Sequence, residues 1–90
     1  MAALQTDSAR AGTLDGLSPG TTATVVGLTN AGAERRRMAD LGILPGTRIE
    51  VALRNPLGDP TAYLVRGAVV ALRREQARCI QIEIAAEGKK

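Results

Sequence analysis

One cysteine, no histidine and a scatter of single carboxylates are all that this chain offers to catalysis. Histidine is the commonest general base and the commonest transition-metal ligand, so its absence removes both roles together. A zinc or iron centre needs three or four Cys, His or carboxylate ligands, and Cys79 would be the sole soft one. Asp15, Glu34, Asp40, Glu50, Asp59, Glu75, Glu83 and Glu87 stand apart from one another along the sequence, which is not the pattern of a hard-cation site. Cys79 opens an apolar stretch and has no histidine to activate it. It reads as a small hydrophobe, with a nucleophilic or redox role as the alternative. Gly42 and Gly46 lack the Lys-Ser/Thr ending of a phosphate loop, and no G-x-G-x-x-G occurs. The expectation is a protein that is not an enzyme, carries no metal and no cofactor, and acts through surface contact.

The arginines are the remaining candidates. Arg35, Arg36 and Arg37 are consecutive, and Arg73, Arg74 and Arg78 form a second group, with Glu34, Asp40 and Glu75 interspersed. These can be two solvated faces, a basic docking face for a protein, or a nucleic-acid contact. The net charge of +3 is modest for the last of these. Single-strand binding also adds aromatic stacking platforms to the charge, and Tyr63 is the only aromatic residue.

The elements that must hold these residues are short. Ninety residues suit one domain with a thin core, built here almost wholly from Ala, Val, Leu and Ile. A single cysteine excludes an internal disulfide. No apolar run approaches the roughly 18–20 residues of a membrane helix. The start of the chain lacks a signal-peptide pattern, so a cytoplasmic location is expected. Residues 1–13 read as a flexible arm, 14–84 as the folded domain, and 85–90 as a flexible tail.

Strands are expected at residues 21–28, 47–54, 61–66, 68–72 and 79–84. In 47–54 the alternation points Ile49, Val51 and Leu53 inward and Arg48, Glu50 and Arg54 outward. Asn55 to Pro60 is a dense turn signal that makes a hairpin. A helix is expected over about residues 33–41, capped by Asn30 or Gly32, and a single helical turn over 73–78. Gly42 should end the first helix in a Schellman stop, with Ile43 closing on Met38 and Pro45 preventing resumption. Met38 then reads as core, or alternatively as part of an apolar contact with Leu41 and Ile43. Five short strands with one small helix point to a compact mainly-β barrel, its sheet closed so that no edge is left bare.

The run Met38-Ala39-Asp40-Leu41-Gly42-Ile43-Leu44-Pro45-Gly46 resembles the signature R-L-x-x-L-G-hydrophobic-x-P-G of the FeoA family. Pro56-Leu57-Gly58-Asp59-Pro60 is similar to that family's P-x-G-D-P turn, and Ala71-Leu72-Arg73-Arg74-Glu75-Gln76-Ala77 followed by Ile80 to its A-L-R-x-x-x-A-x-x-I ending. Met38 stands where Leu is more usual, a nearly volume-conserving change. The resemblance covers residues 14–84. It implies an SH3-like barrel and a partner, the bacterial ferrous-iron transporter FeoB, docked through its cytosolic G-protein-containing part at the inner face of the membrane. The docking residues expected are Arg36, Arg37, Met38, Leu41 and Ile43, with Leu57 and Asp59 of the hairpin loop. Gly42, Pro45, Gly46, Pro56, Gly58 and Pro60 are expected to shape the turns. The alternatives are a small basic nucleic-acid-binding barrel, an SH3-like module for another protein, and a direct Fe²⁺ carrier.

Overall fold

The computed structural model describes residues 10–84, whose backbone forms an antiparallel sheet of six strands with two short helices. The strands are β1 (Arg10–Thr13), β2 (Thr22–Leu28), β3 (Arg48–Arg54), β4 (Thr61–Val65), β5 (Ala68–Leu72) and β6 (Ile80–Ile84). Helix α1 spans Gly32–Asp40, α2 spans Arg74–Ala77, and a 3₁₀ turn occupies Leu14–Gly16. The strand order is β1-β6-β2-β3-β4-β5.

The mainly-β expectation holds, but the strand count was one short. Arg10–Thr13, expected as the end of a flexible arm, pairs with β6 from Arg10↔Ile84 to Thr13↔Gln81. These four residues show no apolar alternation, so the sequence pattern hid them. What recruits them is the bare backbone edge of β6. The rest of the expected arm, residues 1–9, and the tail, 85–90, lie outside the described residues. Among those residues the ladder ends at β1 and β5, so two strand edges stay open where closure was expected.

The core gathers Val25, Ile49, Val51, Val65, Leu72, Ile80 and Ile82 from the strands around Tyr63, its largest member. Leu14 and Leu17 come in from the 3₁₀ turn, and Met38 and Ile43 from α1 and its exit. Each such side chain contributes about 1.5–3 kcal/mol by leaving water. Tyr63 carries the one shifted acidity of the described residues. Burial pushes its phenol above 10.0, and a hydrogen bond with Thr61 and the charge of Arg54 pull it partly back. The neutral phenol therefore contributes stability that is complete below pH 10.0 and is lost as pH rises toward the folded-state value. Melting temperatures followed into alkali should fall above that point, and Tyr63→Phe should flatten this part of the profile.

One break in the alternation matters for the surface. The β3–β4 register passes from Val51↔Tyr63 to Leu53↔Ala62, leaving Ala52 as the extra residue of a bulge. Beyond the bulge the inside–outside pattern inverts. Leu53, expected inward, is 69% exposed. Arg54, expected outward, turns its guanidinium in and donates to the Leu17 carbonyl.

The helix stop follows the sequence closely. The Ile43 N–H donates to the Met38 carbonyl at 2.9 Å and the Gly42 N–H to the Ala39 carbonyl at 2.9 Å. Gly42 has φ +90°. Those two bonds and that backbone define a Schellman motif. The start differs from expectation: Ala31 is the N-cap, with no side-chain hydrogen bond. Pro45 and Gly46 belong to a loop stitched to β2, with the Val25 N–H donating to the Thr47 carbonyl at 2.8 Å and the Gly46 N–H to the Val25 carbonyl at 2.7 Å.

Candidate docking site

Helix α1 sends one side chain into the core. Met38 is its only buried residue, and with 3.6 residues per turn this leaves Arg36 and Arg37 on the solvent side. Both are exposed, and Asp40, four positions after Arg36, partly offsets its charge. Leu41 is half-buried against the core. The structure corrects two members of the expected docking set. Met38 and Ile43 are both 0% exposed, because the Schellman clasp turns them onto each other and into the core. They cannot touch a partner without unfolding the helix exit.

The hairpin loop 55–60 supplies the other two expected residues. The Gly58 N–H donates to the Asn55 carbonyl at 2.7 Å and the Leu57 N–H to the Asn55 side chain at 2.8 Å, which folds the loop on itself. Pro56 and Pro60 flank this turn, and Gly58 takes φ +87° within it. Leu57 is thereby lifted out, 89% exposed. Asp59 accepts from the Arg74 N–H at 2.9 Å and so caps the start of α2. Its first role is structural. Helix α2 is interposed between the expected halves of the site. Gln76 donates to Glu34 of α1 at 2.8 Å, while Arg74 bonds Gly58 and Asp59 of the loop. Arg36 and Leu57 thus belong to one strip, α1–α2–loop, but do not form one cluster.

Nothing in the strip resembles a reaction centre. Among the described residues no three His, Cys, Asp or Glu side chains come together in a way that could hold a metal ion. The Cys79 thiol, half-buried, donates to the Glu75 carbonyl at 3.6 Å. A groove of about 310 Å³ beside it is lined by Asn30, Glu34, Arg73, Glu75 and Gln76. Asn30 is buried there and its Oδ1 has no partner. No helix is long and apolar enough to cross a membrane among those residues.

The sequence reading missed a second surface. Leu64 and Val69 are cross-strand partners on the outer face of β4 and β5, and both are exposed. With Leu53 and Leu57 they put four large apolar side chains on the β3–β4–β5 side. The only sequence signal was the uncharged run Ala68–Leu72, which looks the same whether a strand is central or at an edge.

The family description that matches this chain is the FeoA domain, over residues 12–84. Over 71 residues the chain is 35% identical to the Fe(2+) transport protein A/Fe(2+) transporter FeoB fusion protein of Porphyromonas gingivalis, a match covering 79% of this chain. The chain spans only 8% of that relative's length. The solved FeoA protein of Chlorobium tepidum aligns with a TM-score of 0.79 at 34% identity, covering 86% of this chain and 73% of that one. FeoA of Stenotrophomonas maltophilia, solved with zinc and described as a prokaryotic SH3 domain protein, aligns with a TM-score of 0.70 at 27% identity, over 78% of this chain and 87% of that one. The fold is thus the SH3-like one that the sequence led us to expect. The three motif blocks, the matched span and the shared fold agree, and this chain belongs to the FeoA family.

Proposed function

We propose that this protein is an accessory factor of bacterial ferrous-iron uptake that docks on the cytosolic, G-protein-containing part of a FeoB transporter and regulates Fe²⁺ passage. The observation that carries the reading is the Porphyromonas gingivalis relative, whose description joins the two proteins in one polypeptide. The scaffold suits such a role, since its exposed side chains offer charge and apolar contact. It is not an enzyme in this reading, binds no resident metal or cofactor, and works in the cytoplasm at the inner membrane face. Its influence is a bias between transporter conformations, exerted by binding one better than the other.

The docking residues in this proposal are Arg36 and Arg37 on α1 and Leu41 at its C-cap, with Leu57 at the far end of the strip. The test is binding of the full chain to the cytosolic part of FeoB from the same organism. Reversing both charges, Arg36→Glu with Arg37→Glu, should weaken binding by about tenfold, mostly through slower association. The melting temperature should hold, because both side chains are exposed. Failure of the unaltered chain to bind at any ionic strength would overturn the proposal.

A further inference from the structure

Among the described residues nothing pairs with the outer edge of β5, and the strand itself carries no charge, proline or bulge to keep that edge from pairing. It reads Ala-Val-Val-Ala-Leu and runs in unbroken register with β4. It is joined to β4 by the two-residue turn Arg66-Gly67, with φ +52° and +86°, the geometry of a type I′ hairpin. In such a hairpin the flanking pair, Val65↔Ala68, exchanges both backbone hydrogen bonds. The pattern then alternates. Ala68, Val70 and Leu72 turn their N–H and C=O toward β4, while Val69 and Ala71 turn theirs to the open side.

The side chains at this edge are equally unfilled. Val69 is 68% exposed on the outer face. A shallow groove of about 260 Å³, lined by Leu53, Pro56, Pro60, Ala62 and Ala71, reaches the same edge. It exists because the β3 bulge delivers Leu53 to the outside. Charge brackets the strand: exposed Arg66 lies before it, and exposed Arg73 and Arg74 follow it.

We propose that β5 takes up an extended segment of a partner protein by strand addition, apolar at alternate positions and acidic at both ends. Backbone bonds to Val69 and Ala71 would supply affinity, the groove would take one side chain, and the arginines would read the acidic ends. A second copy of this chain fits poorly. Antiparallel pairing centred on Val70 would set Arg66 against Arg74 of the copy, like charges at both ends of the ladder. The β5 edge adjoins the α2–loop end of that strip, sharing Arg74 and the 55–60 loop with it, and the inference stands whether or not the transporter is the partner.

The test uses the full chain and two synthetic peptides, Asp-Asp-Thr-Val-Thr-Val-Thr-Glu-Glu and the same core flanked by lysines. Amide hydrogen exchange by NMR should show Val69 and Ala71 selectively protected on saturation with the acidic peptide. That peptide should bind about fivefold more tightly than the lysine-flanked one at low salt. Val69→Pro, which removes an outward N–H and no bond to β4, should abolish the protection. Arg73→Glu with Arg74→Glu should reverse the preference between peptides, a readout that survives even if the proline variant fails to fold. Equal affinity for the two peptides, protection away from β5, or no protection with either would overturn the proposal. So would a concentration-dependent dimer that protects Val69 and Ala71 without peptide, since the edge would then be a self-interface.

Discussion

Shortening Met38 to alanine should destabilise the protein by about 2–5 kcal/mol, the range for truncating a fully buried Met, Leu or Ile. Met38 is the one side chain of α1 that is buried in the core, and none of it reaches solvent. In a domain of this size each kcal/mol moves the melting temperature by about 4–8 °C, so the thermal midpoint should fall by at least about 8 °C. Met38→Leu nearly conserves volume and should cost less than about 1.5 kcal/mol. Circular dichroism melts of the pair decide the matter. A shift below about 4 °C for the alanine variant would mean that the helix is seated some other way. The result also sets how binding experiments are read. Lost binding in a Met38 variant reports a damaged fold, whereas loss in the Arg36 and Arg37 variant reports the surface.

Gly42→Val should cost about 1–3 kcal/mol, and the cost arises in the backbone. A Cβ at this position would meet the Arg66 Cδ at 3.1 Å, and the flexible arginine stem can move aside. The φ of +90° cannot relax without breaking the bonds from Ile43 to Met38 and from Gly42 to Ala39. Asn tolerates this region better than Val, so Gly42→Asn should fall between Gly42→Val and the unaltered chain in melting temperature. Equal melting temperatures for Gly42→Val and the unaltered chain would show that the stop does not depend on glycine.

What could be read from the sequence was local chemistry. The Schellman stop was legible because Met38, Gly42, Ile43 and Pro45 each occupy the position that the motif demands. Most strands were legible from β-branched alternation, and the 55–60 loop from its turn residues. Features set by pairing and by competing roles were harder to read. The strand Arg10–Thr13 forms because a neighbour offers backbone partners, which leaves no trace in its own side chains. The bulge at Ala52 is a pairing irregularity, and alternation inside one strand cannot report it. Burial of Ile43 and Met38 follows from a clasp that was foreseen, yet the same residues were also put forward for docking. Both expectations could not hold, since a side chain closed into the clasp is not free to meet a partner.

Because Arg10 and Ile84 are Cα partners in the β1–β6 ladder, the polypeptide enters and leaves this unit at one point. A host protein can therefore carry it spliced into a surface loop, with neither connection stretched and the host's own ends undisturbed. That point lies on β1 and β6, at the opposite end of the strand order from β5.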